Sequence, residues 1–142
     1  MDIMKKVLIL FSLAGLFFLL SSGKDENADN SKNKKAHMAF EEIVYDFGKI
    51  EYNTPAIHKF QFKNTGKEVL VITKVRSSCG CTTPSYTNEP IKKNKIGIIE
   101  VKYNTRIVGK FSKSVSVTSN AENSPIVLRI KGEVEKKPAT AN

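Results

Sequence analysis

The chain has 142 residues and a formal net charge of +9, a length that points to one domain. It holds two cysteines and no tryptophan, which excludes the Cys…Trp…Cys pattern of antibody domains. The positive charge would suit nucleic acid or an anionic envelope surface. Its lysines, however, are scattered singly (Lys59, Lys63, Lys67, Lys110, Lys113, Lys131), the pattern of solubilised, edge-protected strands. Nucleic acid is therefore not expected as a partner.

In chain order, the first element is an export signal over residues 1–23. Lys5 and Lys6 precede an uncharged 14-residue run, Val7 to Leu20, which exits through Ser21, Ser22 and Gly23. A basic start, a short apolar run and small residues at the exit are the features such signals need. The alternative, a retained membrane anchor, would want about 20 apolar residues in a helix. Residues 24–37 follow as a polar linker without a large apolar side chain to offset ordering entropy. The folded domain is expected over 38–135, with a polar tail over 136–142. Residues 36–142 carry 17 Lys/Arg against 10 Asp/Glu.

Within 38–135 the hydrophobic period is two. Phe60 and Phe62 alternate with Lys59, Gln61 and Lys63 in 56–64. Ile99, Val101 and Tyr103 share a parity in 96–103, and Phe111, Val115 and Val117 oppose a row of serines in 110–119. Ile126, Leu128, Ile130 and Val134 alternate with Arg129, Lys131 and Glu133. Such alternation marks strands with one buried and one wet face. The unbroken run Val69-Leu70-Val71-Ile72 predicts a central strand covered on both sides. Turn chemistry separates the runs at Asn53-Thr54-Pro55, Asn64-Thr65-Gly66, Asn88-Glu89-Pro90 and 120–125. The expected fold is all-β, an antiparallel Ig-like sandwich of about seven strands. Its core is expected to hold Phe60, Phe62, Val71, Ile99, Val101, Val115, Val117, Leu128 and Ile130.

One constellation could carry chemistry: Cys79-Gly80-Cys81-Thr82 after Ser77-Ser78. Two thiolates one residue apart could grip a soft metal ion, cycle between dithiol and disulfide, or pair as inert structural groups. In an extended strand residues i and i+2 stand about 6.5–7 Å apart, beyond the usual disulfide span. A bridge therefore needs a bend, which Gly80 could supply, and Lys74 and Arg76 could favour the thiolate by charge. Neither His37 nor His58 has metal-binding spacing to the cysteines. His58 shares the parity of Phe60 and Phe62, the position of a core-edge residue. Glu41, Glu42, Asp46 and Glu51 show no spacing of a catalytic pair, and no nucleophile elbow, HExxH or glycine-rich phosphate loop occurs. No catalytic, metal or cofactor site is assigned, and the chain is not expected to be an enzyme.

Asp46-Phe47-Gly48, Phe60-Gln61-Phe62-Lys63-Asn64-Thr65-Gly66, Leu70 to Val75, Ser78-Cys79-Gly80-Cys81-Thr82, Pro90-Ile91, Gly109-Lys110-Phe111, Ser119-Asn120 and Leu128 to Gly132 occur in an order that resembles the bacterial family DUF1573 over Phe40 to Val134. The resemblance implies an Ig-like sandwich related to Hydin and PapD domains, and no agreed activity. Two features depart from it. Ser22-Gly23 stands where relatives often carry a lipobox cysteine, and Lys93-Asn94-Lys95 stands where they often have Pro-Gly-Glu, so that turn is expected to differ in type. The expected role is an extracytoplasmic binding or scaffold module of the cell envelope, with a protein or envelope component as partner. Thiol-redox or soft-metal handling at the Cys-Gly-Cys turn is the alternative.

Overall fold

A computed structural model describes residues 35–136. The expected export helix, the linker through residue 34 and the tail beyond Lys136 lie outside the described residues. The described residues form β1 (Met38–Phe40), β2 (Val44–Glu51), β3 (Ala56–Asn64), β4 (Ile72–Ser77), β5 (Thr82–Tyr86), β6 (Ile96–Tyr103), β7 (Gly109–Ser119) and β8 (Ile126–Glu135), and no helix occurs among them. One sheet has the order β1-β3-β6-β5, the other β2-β8-β7-β4. The alternating inner faces bury Phe60, Phe62, Ile99 and Val101 from the first sheet and Val115, Val117, Leu128 and Ile130 from the second, all in one core.

Four expectations change. There are eight strands rather than about seven, because the short Met38–Phe40 segment pairs with β3. The sandwich is not purely antiparallel: β2 runs parallel to β8. These two strands lie at opposite ends of the domain sequence, so no tight hairpin constrains their direction. Val71 is not a core residue. Val69 and Val71 are 44% and 38% exposed while Leu70 and Ile72 are buried, and β4 lies at a sheet edge. The apolar run is therefore a period-two segment whose outer positions are exposed valines, which sheet surfaces tolerate. The Asn120 carboxamide serves this segment in place of a neighbouring strand. It accepts from Val71 N–H at 2.8 Å and donates to the Val69 carbonyl at 2.9 Å.

The last linker residues also belong to the packed domain. Ala36 is fully buried, and its strip of backbone crosses the Asn64-Thr65-Gly66 turn. A Cβ on Gly66 would come within 2.0 Å of the Lys35 carbonyl oxygen, so only glycine lets the two backbones pass. Lys93-Asn94-Lys95 forms a tight turn with Asn94 at its left-handed position. Asn94 takes a left-handed φ of 62° and Lys95 N–H closes on the Lys92 carbonyl at 3.0 Å. Asparagine is the residue type that most readily replaces glycine in that conformation.

Asp46-Phe47-Gly48 forms a bulge where the β2–β8 register shifts. Gly48 has φ 63° and donates its N–H to Asp46 Oδ1 at 2.8 Å. Asp46 Oδ2 also meets Lys131 Nζ at 3.2 Å. The Gly48 N–H first, and the Lys131 ammonium second, hold the Asp46 carboxyl below the ordinary aspartate range. A depressed folded pKa contributes stability above the unfolded value and loses it as pH falls through the folded one. Asp46→Asn is therefore expected to be less stable than wild type at neutral pH. In denaturation curves taken across the acid range, the difference should close once the pH falls below the folded Asp46 pKa. A second expectation concerns the core. Phe62 is 1% exposed and packs tilted against Phe40 with ring centroids 5.0 Å apart, so Phe62→Ala should cost about 3–5 kcal/mol by urea unfolding.

Candidate functional site

β4 ends at the edge of one sheet and β5 begins at the edge of the other, so residues 78–81 carry the chain across the sandwich. The crossing is anchored at both ends. Ser78 N–H donates to the Ser114 carbonyl at 2.9 Å, and Ser114 N–H donates to Ser78 Oγ at 3.2 Å. The Ser77 hydroxyl donates to the Cys79 carbonyl at 2.8 Å, and Thr82 N–H approaches the same oxygen at 3.4 Å, closing a turn over Cys79–Thr82. In that turn Cys79 and Cys81 are joined as a disulfide with a Cα–Cα distance of 5.3 Å. This is shorter than the i,i+2 spacing of an extended strand, so the bend expected there is present.

Gly80 does not use its special freedom to make the bend. Its backbone is outside the left-handed region, and a Cβ there would meet no atom within 4 Å beyond the two flanking cysteines. Gly80 is exposed, while Cys79 and Cys81 on either side of it are half-buried, Cys81 against the core. Thr82 lies beneath. It is 2% exposed, and its Oγ1 lies 3.7 Å from Cys79 Sγ and 3.9 Å from Cys81 Sγ.

Two other loops reach the same end. Asn104 N–H donates to the Cys81 carbonyl at 2.9 Å, and Asn53 N–H to the Thr105 carbonyl at 3.2 Å. The Thr105 hydroxyl donates to the Thr54 carbonyl at 2.6 Å, and Arg106 Nε to Asn53 Oδ1 at 2.9 Å. Between these loops lies a cleft of about 470 Å³, lined among others by Gly80, Cys81, Lys102, Tyr103, Asn104 and Arg106. Its charged lining is cationic, from Lys102 and Arg106, and includes no carboxylate. Burial pushes the Tyr103 phenol up, so it stays neutral near pH 7.

The site differs in its cations from the one read along the sequence. Lys74 and Arg76 are exposed on β4 and do not line the cleft; Lys102 and Arg106 do. Arg106 becomes a site residue only through the 104–108 loop folding against Asn53, a pairing that sequence spacing does not carry. His58 is engaged elsewhere, at the core edge. Its ring stacks on Tyr45 at 3.5 Å, and Glu42 Oε1 lies 2.8 Å from Nε2 but off the hydrogen-bonding direction. The contact is thus an ion-pair approach without an aligned bond. His37 pairs with Glu122 at 3.0 Å. Of the carboxylates, Asp46 is spent on the bulge. Among the described residues no three His, Cys, Asp or Glu side chains gather as a metal site.

Both sheets, the crossing and the turn define an all-β sandwich of the PapD-like kind. The profile of "Protein of unknown function (DUF1573)" matches residues 38–134, and the chain belongs to that family. No curated protein matches. Among solved structures, a protein of unknown function from Porphyromonas gingivalis W83 superposes with a TM-score of 0.64 at 13% identity, over 71% of this chain and 48% of that one. The PapD-like domain 7 of human CEP192 gives 0.61 at 9% identity, over 72% and 88%. The CsuC–CsuE chaperone–tip adhesion subunit complex of Acinetobacter baumannii gives 0.52 at 15% identity, over 70% and 58%. The chain thus spans about half the length of the Porphyromonas protein. Two proteases of Vibrio cholerae, VesB and the secreted serine protease VesC, also match, with the chain covering a third of their length or less. Likeness shared with such different proteins shows the fold alone.

The bridge closes a very short loop, with a sequence separation of two. On the chain-entropy relation a three-residue loop is worth about 1.6 kcal/mol, roughly half the value for fifteen residues. Both its cysteines also lie in one connection, so it does not staple the sheets together. Cys79→Ser/Cys81→Ser is expected to lower unfolding free energy by no more than about 2 kcal/mol. Gly80→Ala should change it by less than about 0.5 kcal/mol. Chemical denaturation of the full chain checks both; a larger loss in either variant would make the turn a structural keystone.

Proposed function

We propose that the chain is an exported binding module of the bacterial cell envelope that recognises its partner with the loop-end cleft beside the Cys79–Cys81 bridge, acting by binding rather than catalysis. The observation that carries this reading is the cleft itself. Three separate loops are hydrogen-bonded to one another around a concave surface, and its charged residues are Lys102 and Arg106. Loops held by a rigid sandwich are where such domains place recognition. A surface with cations and no carboxylate selects an anionic group and steers its approach. The basic start, the apolar run and the small-residue exit of residues 1–23 support export. The likeness to a chaperone–adhesin complex is consistent with protein contacts.

A second reading, thiol chemistry, is favoured by one specific feature: the disulfide-bonded Cys81 lines the cleft. It is compatible with the first, since a partner can be both bound and captured.

Envelope extract passed over immobilised full chain provides the test, with Lys102→Glu/Arg106→Glu as the control. A partner retained by wild type should be lost from the variant while the variant's unfolding curve is unchanged. Equal retention by both would place recognition elsewhere. For export, the recovered protein should begin after about residue 23; an intact Met1 in the membrane pellet would contradict it.

A further inference from the structure

The Thr82 hydroxyl has an arrangement that neither packing nor the turn requires. Its side chain is inside the protein, where a hydroxyl needs a partner. The partners it meets are the two bridge sulfurs, at 3.7 and 3.9 Å. A disulfide sulfur is a weak acceptor, whereas a thiolate is a strong one, so this hydroxyl gains most when the bridge is open. The two cysteines are placed differently relative to the cleft. Cys81 lines the cleft and Cys79 does not. Cys81 is half-buried beside the exposed Gly80. Lys102 and Arg106 line the same cleft, and their positive field raises the local concentration of an anion and of a thiolate in particular.

We infer that the Cys79–Cys81 bridge exchanges with a small anionic thiol bound in this cleft, with Thr82 receiving the displaced Cys79 sulfur. The inference rests on the cleft being the recognition site and adds the class of ligand that it takes. The incoming thiol loses its proton to solvent and attacks Cys81 Sγ as thiolate. A new S–S bond forms between ligand and Cys81, and the Cys79–Cys81 bond breaks. Its electron pair leaves with Cys79 Sγ, which becomes a thiolate. The ligand sulfur is oxidised and Cys79 is reduced, so no further oxidant or reductant enters. The Thr82 hydroxyl turns its proton to the Cys79 thiolate and stabilises it. Attack by Cys79 on the mixed disulfide reverses the step and releases the thiol. A volume of about 470 Å³ lies within the range of sites for small molecules.

The test uses the oxidised full chain and three probe thiols: 2-mercaptoethanesulfonate (anionic), 2-mercaptoethanol (neutral) and cysteamine (cationic). Mixed-disulfide formation is followed by intact mass, with iodoacetamide trapping the freed thiol and rates expressed per thiolate. The anionic probe should react several-fold faster than the neutral one and the cationic probe slowest, with the spread shrinking at high salt. Lys102→Gln/Arg106→Gln should abolish the spread. Thr82→Val should slow all three probes about tenfold, the scale of one hydrogen bond to a charged group, and Thr82→Ser should restore the rate. Fragment-ion mapping should place the probe on Cys81 and the carbamidomethyl group on Cys79. Rates independent of probe charge, a Thr82→Val rate equal to wild type in a folded variant, or the probe on Cys79 would each overturn the inference. Recognition is separable from exchange. If exchange fails while Cys79→Ser/Cys81→Ser still retains the envelope partner, the binding reading stands and the thiol chemistry falls. If the partner is also lost from Lys102→Glu/Arg106→Glu, that loss still locates binding at the cleft.

Discussion

A carboxamide buried in the sandwich needs partners for two donors and an acceptor, and Asn64 meets that demand by tying three other stretches of chain to the end of β3. Fully buried at the end of β3, it accepts from Gly66 N–H at 3.0 Å and His37 N–H at 3.3 Å. Its Nδ2 donates to the Glu68 and Ile91 carbonyls at 2.8 and 2.9 Å. Its own backbone meets the 92–95 turn, through Lys95 and Asn94. Each bond is individually modest, but leaving any buried partner unpaired costs about 1–3 kcal/mol. One side chain thus fixes the entry of the chain before β1, the β3–β4 turn and the approach to β6. The Phe-Lys-Asn-Thr-Gly run that marks the family is therefore a hydrogen-bond junction, with Gly66 required by the close backbone crossing.

The opposite end of the sandwich is organised by different means. There the loops are joined mainly by backbone carbonyls and small hydroxyls, with Thr105 reaching Thr54 and Asn104 reaching Cys81. A junction built from edges and turns leaves a concave surface, since no large apolar side chain fills the space between the loops. Tyr103 forms its floor, stacked at 3.8 Å on Phe111 from the other sheet, so the cleft sits directly on the core and inherits its rigidity. The division of labour follows: the Asn64 end holds the fold, and the Cys81 end is free to present groups to solvent.

Much of the fold was legible because its physics is local. Period-two alternation placed β3 and β6 to their end residues, since one buried and one wet face leaves a clear trace in sequence. The run Val69 to Ile72 misled because exposed valine and buried leucine look alike to a hydropathy reading; which face is covered depends on the sheet position of β4. The parallel β2–β8 pair was likewise invisible, being a contact between the two ends of the domain. At the site, the Cys-Gly-Cys turn stood out by residue type alone. Its cations did not, because Lys102 belongs to a strand and Arg106 to a loop, and only the fold brings them to Cys81. Lys74 and Arg76, near the cysteines in sequence, are exposed on β4 and do not line the cleft.

The role of Gly80 ties these observations together. A glycine between two cysteines reads first as a conformational need, yet this one has a φ open to other residues, and apart from the bridged cysteines themselves no atom lies within 4 Å of a Cβ placed there. Compare Gly48, whose φ of 63° at the bulge is a position that side chains resist. Gly48 is explained by the fold and Gly80 is not. A residue that the fold does not require, standing over a bridge that contributes little chain entropy and beside a hydroxyl that faces only sulfur, concentrates three unexplained features within four residues. An apolar residue at 82 would fill the same buried space with no hydroxyl to satisfy. The turn instead sets a buried hydroxyl against both sulfurs beside the cleft, an arrangement that packing of the sandwich does not require.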